Sequence, residues 1–259
     1  MVIFPRKSDK MHTRGVAMLK EIDVSIYNKE INNAVKFFWD TRKSQKTKQK
    51  ENNTSDQGNR GAVTGGKQMD GFINLLTKVC MDIGIPEECI YTKSNHLPGY
   101  FRPSKDWDFI IISPKSNLLA AIELKSQVGS FGNNFNNRTE EALGSAVDLW
   151  TAYKWEVYDR QMPPWVGYLV LLEKDEKSIA PVGTHEPYFK VRDEFKNTSY
   201  LDRYDIFCSK LMMERHYTAA CLIWSKSDCS YGNHSDETSI YSFLESFIAY
   251  LVSKKREFQ

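Results

Sequence analysis

An α/β fold, with a mixed β-sheet flanked by helices, is predicted for this 259-residue chain by three observations. Residues 107–113 (WDFIIIS) and 118–126 (LLAAIELKS) are two β-rich runs separated by PKSN, a turn signal. Residues 165–173 (WVGYLVLLE) form a continuous apolar run of the kind buried on both faces of a sheet. Residues 138–157 lie between them and read as a helix. The order hairpin, helix, strand makes a βαβ crossover with a parallel pair.

The other elements follow in order. Residues 25–46 predict a helix, because Tyr27, Ile31, Ala34, Val35 and Phe38 make an apolar stripe at helical spacing. Residues 43–66 are polar, Gly-rich and poor in core formers, and predict a flexible loop. Residues 67–83 predict a second helix, with Met69, Phe72, Ile73, Leu76, Val79 and Cys80 on one side. After the strand at 165–173 come a helix over 200–216, a strand over 218–225 and a helix over 238–255. No internal repeat is visible. The expected organisation is one domain over 1–259, with 1–66 a basic helical and loop extension and 67–259 the core.

Composition excludes several classes. A hydrophobic content of 41% and a charged content of 26% are ordinary for a globular protein. No apolar run approaches the roughly 18 residues of a membrane helix, so no membrane partner is expected. The start MVIFPRKSDK has no apolar h-region, and no signal peptide is expected. Five cysteines, odd in number and without CxxC spacing, predict free thiols in a reducing cytoplasm. No GxGxxG or P-loop pattern supports a nucleotide-dependent metabolic enzyme. Net charge is only +2, yet residues 1–67 hold 14 Lys/Arg against 7 Asp/Glu, and the remainder 21 against 26. A basic first quarter on an acidic body suits phosphate binding there, and equally suits a solvated helix and loop.

The hairpin carries the candidate chemistry. If PKSN is a four-residue loop, Ser113 faces Leu118, and Asp108 then faces Glu123 across the pair. Their Cβ atoms would lie about 4.5–5.5 Å apart. Lys125, two residues beyond Glu123, projects to the same face. Facing carboxylates in an apolar sheet repel one another and are costly to desolvate. A divalent cation supplies the compensation, and hard oxygen ligands suit Mg²⁺, with the Leu124 backbone carbonyl as a third donor. Lys125 would hold or deprotonate an attacking water and offset phosphate charge. The alternative is a hairpin edge carrying a cross-strand lysine–carboxylate pair, and a bulge or one-residue slip would undo the alignment.

The next segment adds candidates for DNA. Glycines 129 and 132 allow turns and close approach to a ligand. Asn133, Asn134, Asn136 and Asn137 precede Arg138, and Asn and Arg are the side chains that read adenine and guanine edges. Asn137 or Thr139 would cap the following helix, with Glu140 and Glu141 in its first turn. An Asn-rich capping loop with no readout role is the alternative. The segment 129–138 is expected to enter or flank the major groove, with Arg138 on a guanine; the alternative is that Arg138 only pairs with a phosphate or with Glu141 on its own helix. Lys67, Arg60, Arg102, Lys105 and the basic run 42–50 are the candidates for the backbone.

At this point the sequence is recognisable. The run IELKSQVGSFGNNFNNRTEEALGSAVDLWTAYK (122–154) closely resembles the XhoI/PaeR7I family of type II restriction endonucleases. TGGKQMDGF (64–72), PGYFRPSKDWD (98–108) and SYLDRYDIFCSKLMMERHY (199–217) are similar to that family as well. One departure is a proline, often found in the family between the equivalents of Gly129 and Ser130, that is missing here. The resemblance implies a PD-(D/E)xK nuclease core, with Asp108, Glu123 and Lys125 matching the signature. Pro103 is the nearest proline, five residues upstream of Asp108. It further implies a Mg²⁺-dependent homodimer cutting double-stranded DNA at palindromic CTCGAG sites to leave 5′-phosphates, and pairing with a cognate DNA methyltransferase. Asp70 is a further candidate for the metal, with core packing or a helix start as its alternative role. A repair or junction-resolving nuclease and a non-catalytic DNA-binding module remain as rival readings.

Overall fold

The computed structural model describes residues 22–51 and 67–259. Arg60 and the expected loop beyond residue 51 lie outside the described residues. A short 3-10 turn leads into α1 (Asn28–Glu51), and a second precedes α2 (Asp70–Asp82). Three short strands follow: β1 (Ile90–Tyr91), β2 (His96–Leu97) and β3 (Lys105–Asp106). Then come β4 (Phe109–Ile112), β5 (Leu118–Gln127), α3 (Phe131–Lys154) and β6 (Trp165–Glu173). The chain closes with α4 (Glu176–Ile179), α5 (Tyr200–Met213), β7 (Ala219–Ser225), β8 (Tyr231–Asn233) and α6 (Ile240–Ser253).

Six strands form one mixed sheet in the order β1-β4-β5-β6-β7-β8, while β2 and β3 pair separately. The pairs β5–β6 and β6–β7 are parallel and the others antiparallel. The sheet has two packed faces. On one, Phe109, Ile111, Ile122, Leu124, Leu169, Leu171 and Ile223 meet α1, α2 and α6. On the other, Ile110, Ala121, Val166, Val170 and Leu222 meet α3 and α5. The alternation is the period of two of a strand, and covering both faces explains why β6 is apolar throughout.

Two segments differ from the sequence reading. The expected loop over 43–66 begins as helix, since α1 continues to Glu51. Lys, Gln and Glu are good helix formers, and Ser44 and Thr47 return their hydroxyls to carbonyls four residues back. The first part of α1 is also no appendage. Ile31, Val35 and Phe38 are fully buried in the same core as the sheet. There α1 crosses α2 so closely that a Cβ on Gly71 would sit 2.8 Å from the Ala34 Cα. The second difference is α3, which starts at Phe131 rather than 138. Glycine and asparagine are poor helix formers, but Phe131 stacks on Tyr200 and Phe135 packs on Tyr204 and Phe207 of α5. Tertiary packing overrides local propensity.

The cysteines at 80, 89, 208 and 221 are buried and unpaired, and Cys229 is half-buried and unpaired. Among the described residues no helix is long and apolar enough to cross a membrane.

Candidate active site

Carried one residue past Phe109, the hairpin register sets Asp108 opposite Glu123, by a route the turn alone would not give. Phe109 pairs with Ile122, Ile110 with Ala121 and Ile111 with Ala120, but Ile112 pairs with Leu118. The turn is one residue tighter than expected, since the Ser113 N–H donates to the Asn117 carbonyl at 2.9 Å. Carried along the strands, that tighter register would set Asp108 opposite Ile122. Leu119 is the extra residue of a bulge, and it restores the register the site requires. Beyond β4 the Asp108 N–H donates to the Ile122 carbonyl at 3.2 Å, and the Leu124 N–H donates to Asp108 Oδ2 at 2.7 Å. The Leu124 carbonyl points to the same side of its strand as its N–H, toward Asp108. Asp108, Glu123 and Lys125 thus share the face covered by α3 and α5.

This group is buried and densely charged. Glu123 is 4% exposed. Its Oε2 accepts from Lys105 Nζ at 2.6 Å, and its Oε1 pairs with Lys125. Burial works to raise the Glu123 pKa, but Lys125 and Lys105 outweigh it and hold the carboxyl below its usual range. Asp108 goes the other way. Burial, reinforced by the Glu123 charge, pushes it up to about 6. Burial opposes the charge on Lys125, yet Glu123 and Asp108 hold its pKa above the ordinary value. The Lys105 ammonium also sits over the Trp107 ring at 4.9 Å.

A cleft of about 680 Å³ opens beside the group, with Lys105, Glu123 and Lys125 on one side and Arg102, Arg138 and Glu141 on others. Arg102 donates to Asp148 at 2.7 Å, and the same carboxylate accepts the Tyr100 and Phe101 N–H groups at 2.8 Å each. Asp148, which the sequence reading missed, fixes the loop that leads into β3. Its signal was an acidic residue in the apolar stripe of Ala142, Ala146, Leu149 and Ala152. Gln68 was missed as well. It links Arg42 Nη1 (3.2 Å) to Ser126 Oγ (2.9 Å), tying α1 to β5 next to Lys125.

Other expected residues are placed differently. Asn133, Asn134, Asn136 and Asn137 lie on the first two turns of α3 and not on a loop, so neither Asn137 nor Thr139 caps it. Ser130, left-handed at φ 46°, is the cap residue and gives no side-chain cap bond. Asn133, Asn136 and Asn137 are exposed on one helical face. Arg138 is paired with Glu141 on its own helix, mostly buried, with its Nε among the buried atoms lacking a partner. Lys105 bears on Glu123 instead of standing free for a DNA backbone. Lys67 is exposed at the foot of α2, away from the cleft lining. Asp70 has Lys67 and Lys93 as charged neighbours, and among the described residues no three His, Cys, Asp or Glu side chains group as a metal cluster.

Residues 48–236, a span holding the whole cleft, match the family described as Restriction endonuclease XhoI. The chain belongs to the XhoI restriction endonuclease family. It is 46% identical over 215 residues to the type II restriction enzyme BstVI of Geobacillus stearothermophilus, covering 79% of this chain and 96% of that enzyme. It is 44% identical over 197 residues to the type II restriction enzyme XhoI of Xanthomonas vasicola, covering 74% and 78%. The type II restriction enzyme AbrI of Azospirillum brasilense is 41% identical over 172 residues, covering 65% and 77%. No solved structure gives a significant match. This XhoI-family chain is accordingly a type II site-specific deoxyribonuclease, a DNA-binding enzyme of a class that generally uses divalent metals.

Proposed function

We propose that this XhoI-family enzyme is a Mg²⁺-dependent endonuclease with a PD-(D/E)xK core and the catalytic set Asp108, Glu123 and Lys125. It cuts both strands of palindromic CTCGAG sites as a homodimer, leaving 5′-phosphates. It acts in the cytoplasm beside a methyltransferase that protects the same sites. The observation that carries this reading is the buried Asp108–Glu123–Lys125 group, whose Glu123 and Lys125 line a cleft that also holds Arg102, Lys105 and Arg138.

The donor set fits a hard cation. Two facing carboxylates and the Leu124 carbonyl supply oxygen only, and the two ammonium groups drawn against Glu123 mark a place that attracts cations. When bound there, Mg²⁺ supplies charge for the scissile phosphate and acidifies the attacking water. Asp108 and Glu123 hold it, with Asp108 oriented by the Leu124 N–H. Lys125 positions the water and stabilises charge developing on the phosphate. Arg138, in the cleft wall, is assigned to a phosphate. The exposed Asn133, Asn136 and Asn137 face of α3 is assigned to base edges in the major groove.

The test is digestion of a plasmid of known sequence with Mg²⁺, mapping the ends, with light scattering of the enzyme on its duplex. Double-strand cuts at CTCGAG by a dimer are expected, because two-fold copies match a two-fold site. Cutting at structured DNA without sequence preference would favour the repair enzyme instead. The two DNA assignments separate by phenotype. Arg138→Ala should weaken binding to all duplexes and reduce its salt dependence by about one phosphate contact. Asn136→Ala and Asn137→Ala should relax discrimination by roughly 1–3 kcal/mol at one base pair each. Competition across single-base variants checks both, and a change of base preference in Arg138→Ala would reverse the assignment.

A further inference from the structure

We propose that Lys105 is a built-in counter-cation that occupies the Glu123 carboxylate until metal and DNA arrive together, so that it couples metal affinity to DNA binding. The inference rests on the metal-site reading above. Its basis is a charge count in a buried space. Two carboxylates, Asp108 and Glu123, face two ammonium groups, Lys105 and Lys125, and the metal-free group is balanced. A divalent cation added alone leaves an excess of two positive charges where the dielectric is low and repulsion strong. One lysine must then give way.

The structure selects Lys105 as the one that moves. Lys125 is anchored in the middle of the sheet, where β5 pairs it with Val170 of β6. Lys105 stands on a two-residue strand that pairs only with β2, outside the main sheet. Its side chain is 13% exposed and lines the cleft a scissile phosphate would enter. Held at 2.6 Å from Glu123 Oε2, it takes an oxygen that the metal would need. The Trp107 ring under the ammonium and the Asp106 carbonyl at 3.0 Å give it a resting place that does not depend on Glu123 alone. With a phosphate in the cleft, the displaced ammonium gains a new anionic partner. Metal displaces Lys105 at a cost in the free enzyme and at a smaller cost in the complex. By reciprocity, metal must strengthen DNA binding by the same factor.

The test is calorimetric titration of the metal-free full chain with Ca²⁺, an oxygen-seeking probe, with and without a short CTCGAG duplex. Wild type should bind Ca²⁺ about tenfold or more tightly once the duplex is present, within the usual range of such couplings. Lys105→Met, which keeps the stem over Trp107, should bind Ca²⁺ about tenfold more tightly without DNA and lose most of the duplex effect. Lys105→Arg keeps the charge and should stay close to wild type. A merely structural role would weaken both measurements in Lys105→Met, and thermal unfolding of each variant confirms that it is folded. Lys105→Met binding Ca²⁺ no more tightly than wild type in the absence of DNA overturns the proposal. Glu123→Ala should bind none. If it bound Ca²⁺ like wild type, the metal-site reading itself would fall, a result distinct from failure of the Lys105 coupling.

Discussion

Asp108→Asn and Glu123→Gln are both expected to abolish cleavage, yet to move the stability of the metal-free protein in opposite directions. On the proposed assignment each removes a charged metal ligand, and cleavage should fall by at least about a thousandfold, the scale of losing a principal electrostatic group. The stability effects follow from the opposite pKa shifts. Asp108 is raised from 3.8 to about 6, by burial first and Glu123 second. Between those two values the unfolded chain has released this proton and the native protein keeps it, so native stability falls as pH rises through the window and stays lower above it. Asparagine removes that penalty and still offers an oxygen to the Leu124 N–H. Asp108→Asn should therefore be more stable than wild type at pH 8, on the order of 1–3 kcal/mol from the size of the shift, with little difference near pH 4. Glu123 is lowered, so its contribution is present above its unfolded pKa and is lost as pH falls through its folded value. Glu123→Gln strips two buried ammonium groups of their shared partner, which costs about 3–5 kcal/mol for a broken buried pair. Urea unfolding in EDTA at pH 4 and pH 8 checks the signs. A destabilised Asp108→Asn at pH 8 would contradict the electrostatic description of the site.

Lys125→Ala should lose about two to three orders of magnitude in the rate of strand cleavage at saturating metal and DNA. The ammonium reaches Glu123 from the same face of β5 and also bears on Asp108, so its charge lies over the proposed metal position. Its loss removes a cation that stabilises the transition state, while Lys105 remains to neutralise Glu123 in the free protein. DNA binding should therefore persist at low metal concentration. Single-turnover cleavage separates the two effects. Normal cleavage by Lys125→Ala would make the lysine a structural partner of Glu123 and would remove it from the catalytic set.

Much of the site was legible because strands obey a period of two. Alternation puts Glu123 and Lys125 on one face of β5, and a four-residue PKSN loop puts Asp108 opposite Glu123; in the structure the Phe109–Ile122 pairing, carried one residue further, leads to the same facing pair. The turn is one residue tighter than a four-residue PKSN loop, and the bulge at Leu119 adds one residue in the opposite sense. Neither has a local signature in a run such as LLAAI. The apolar stripes of α1 and α2 and the unbroken run of β6 were similarly readable, since burial writes itself into composition.

Other features are decided by packing between distant segments. Lys105 is 18 residues from Glu123 and sits on a two-residue strand, too short to leave a periodicity. Only the β2–β3 ladder and the Trp107 ring bring its ammonium to the carboxylate. The asparagines of 133–137 favour a loop by propensity, and two phenylalanines packed on α5 make them helical. Gln68 looks unremarkable in the chain until α1 and β5 are folded together around it. The sequence by itself determined the family and the layered α/β class, because these depend on local pattern and on long matched motifs, whereas the register that faces Asp108 to Glu123 needed the bulge at Leu119. The tertiary structure alone decided the second lysine on Glu123, the helical asparagine face and the buried Arg138. The first two depend on contacts between side chains far apart in sequence, Lys105 with Glu123 and Phe131 and Phe135 with α5, and no local periodicity encodes such a contact; the Arg138–Glu141 pair needed only the helix those contacts build.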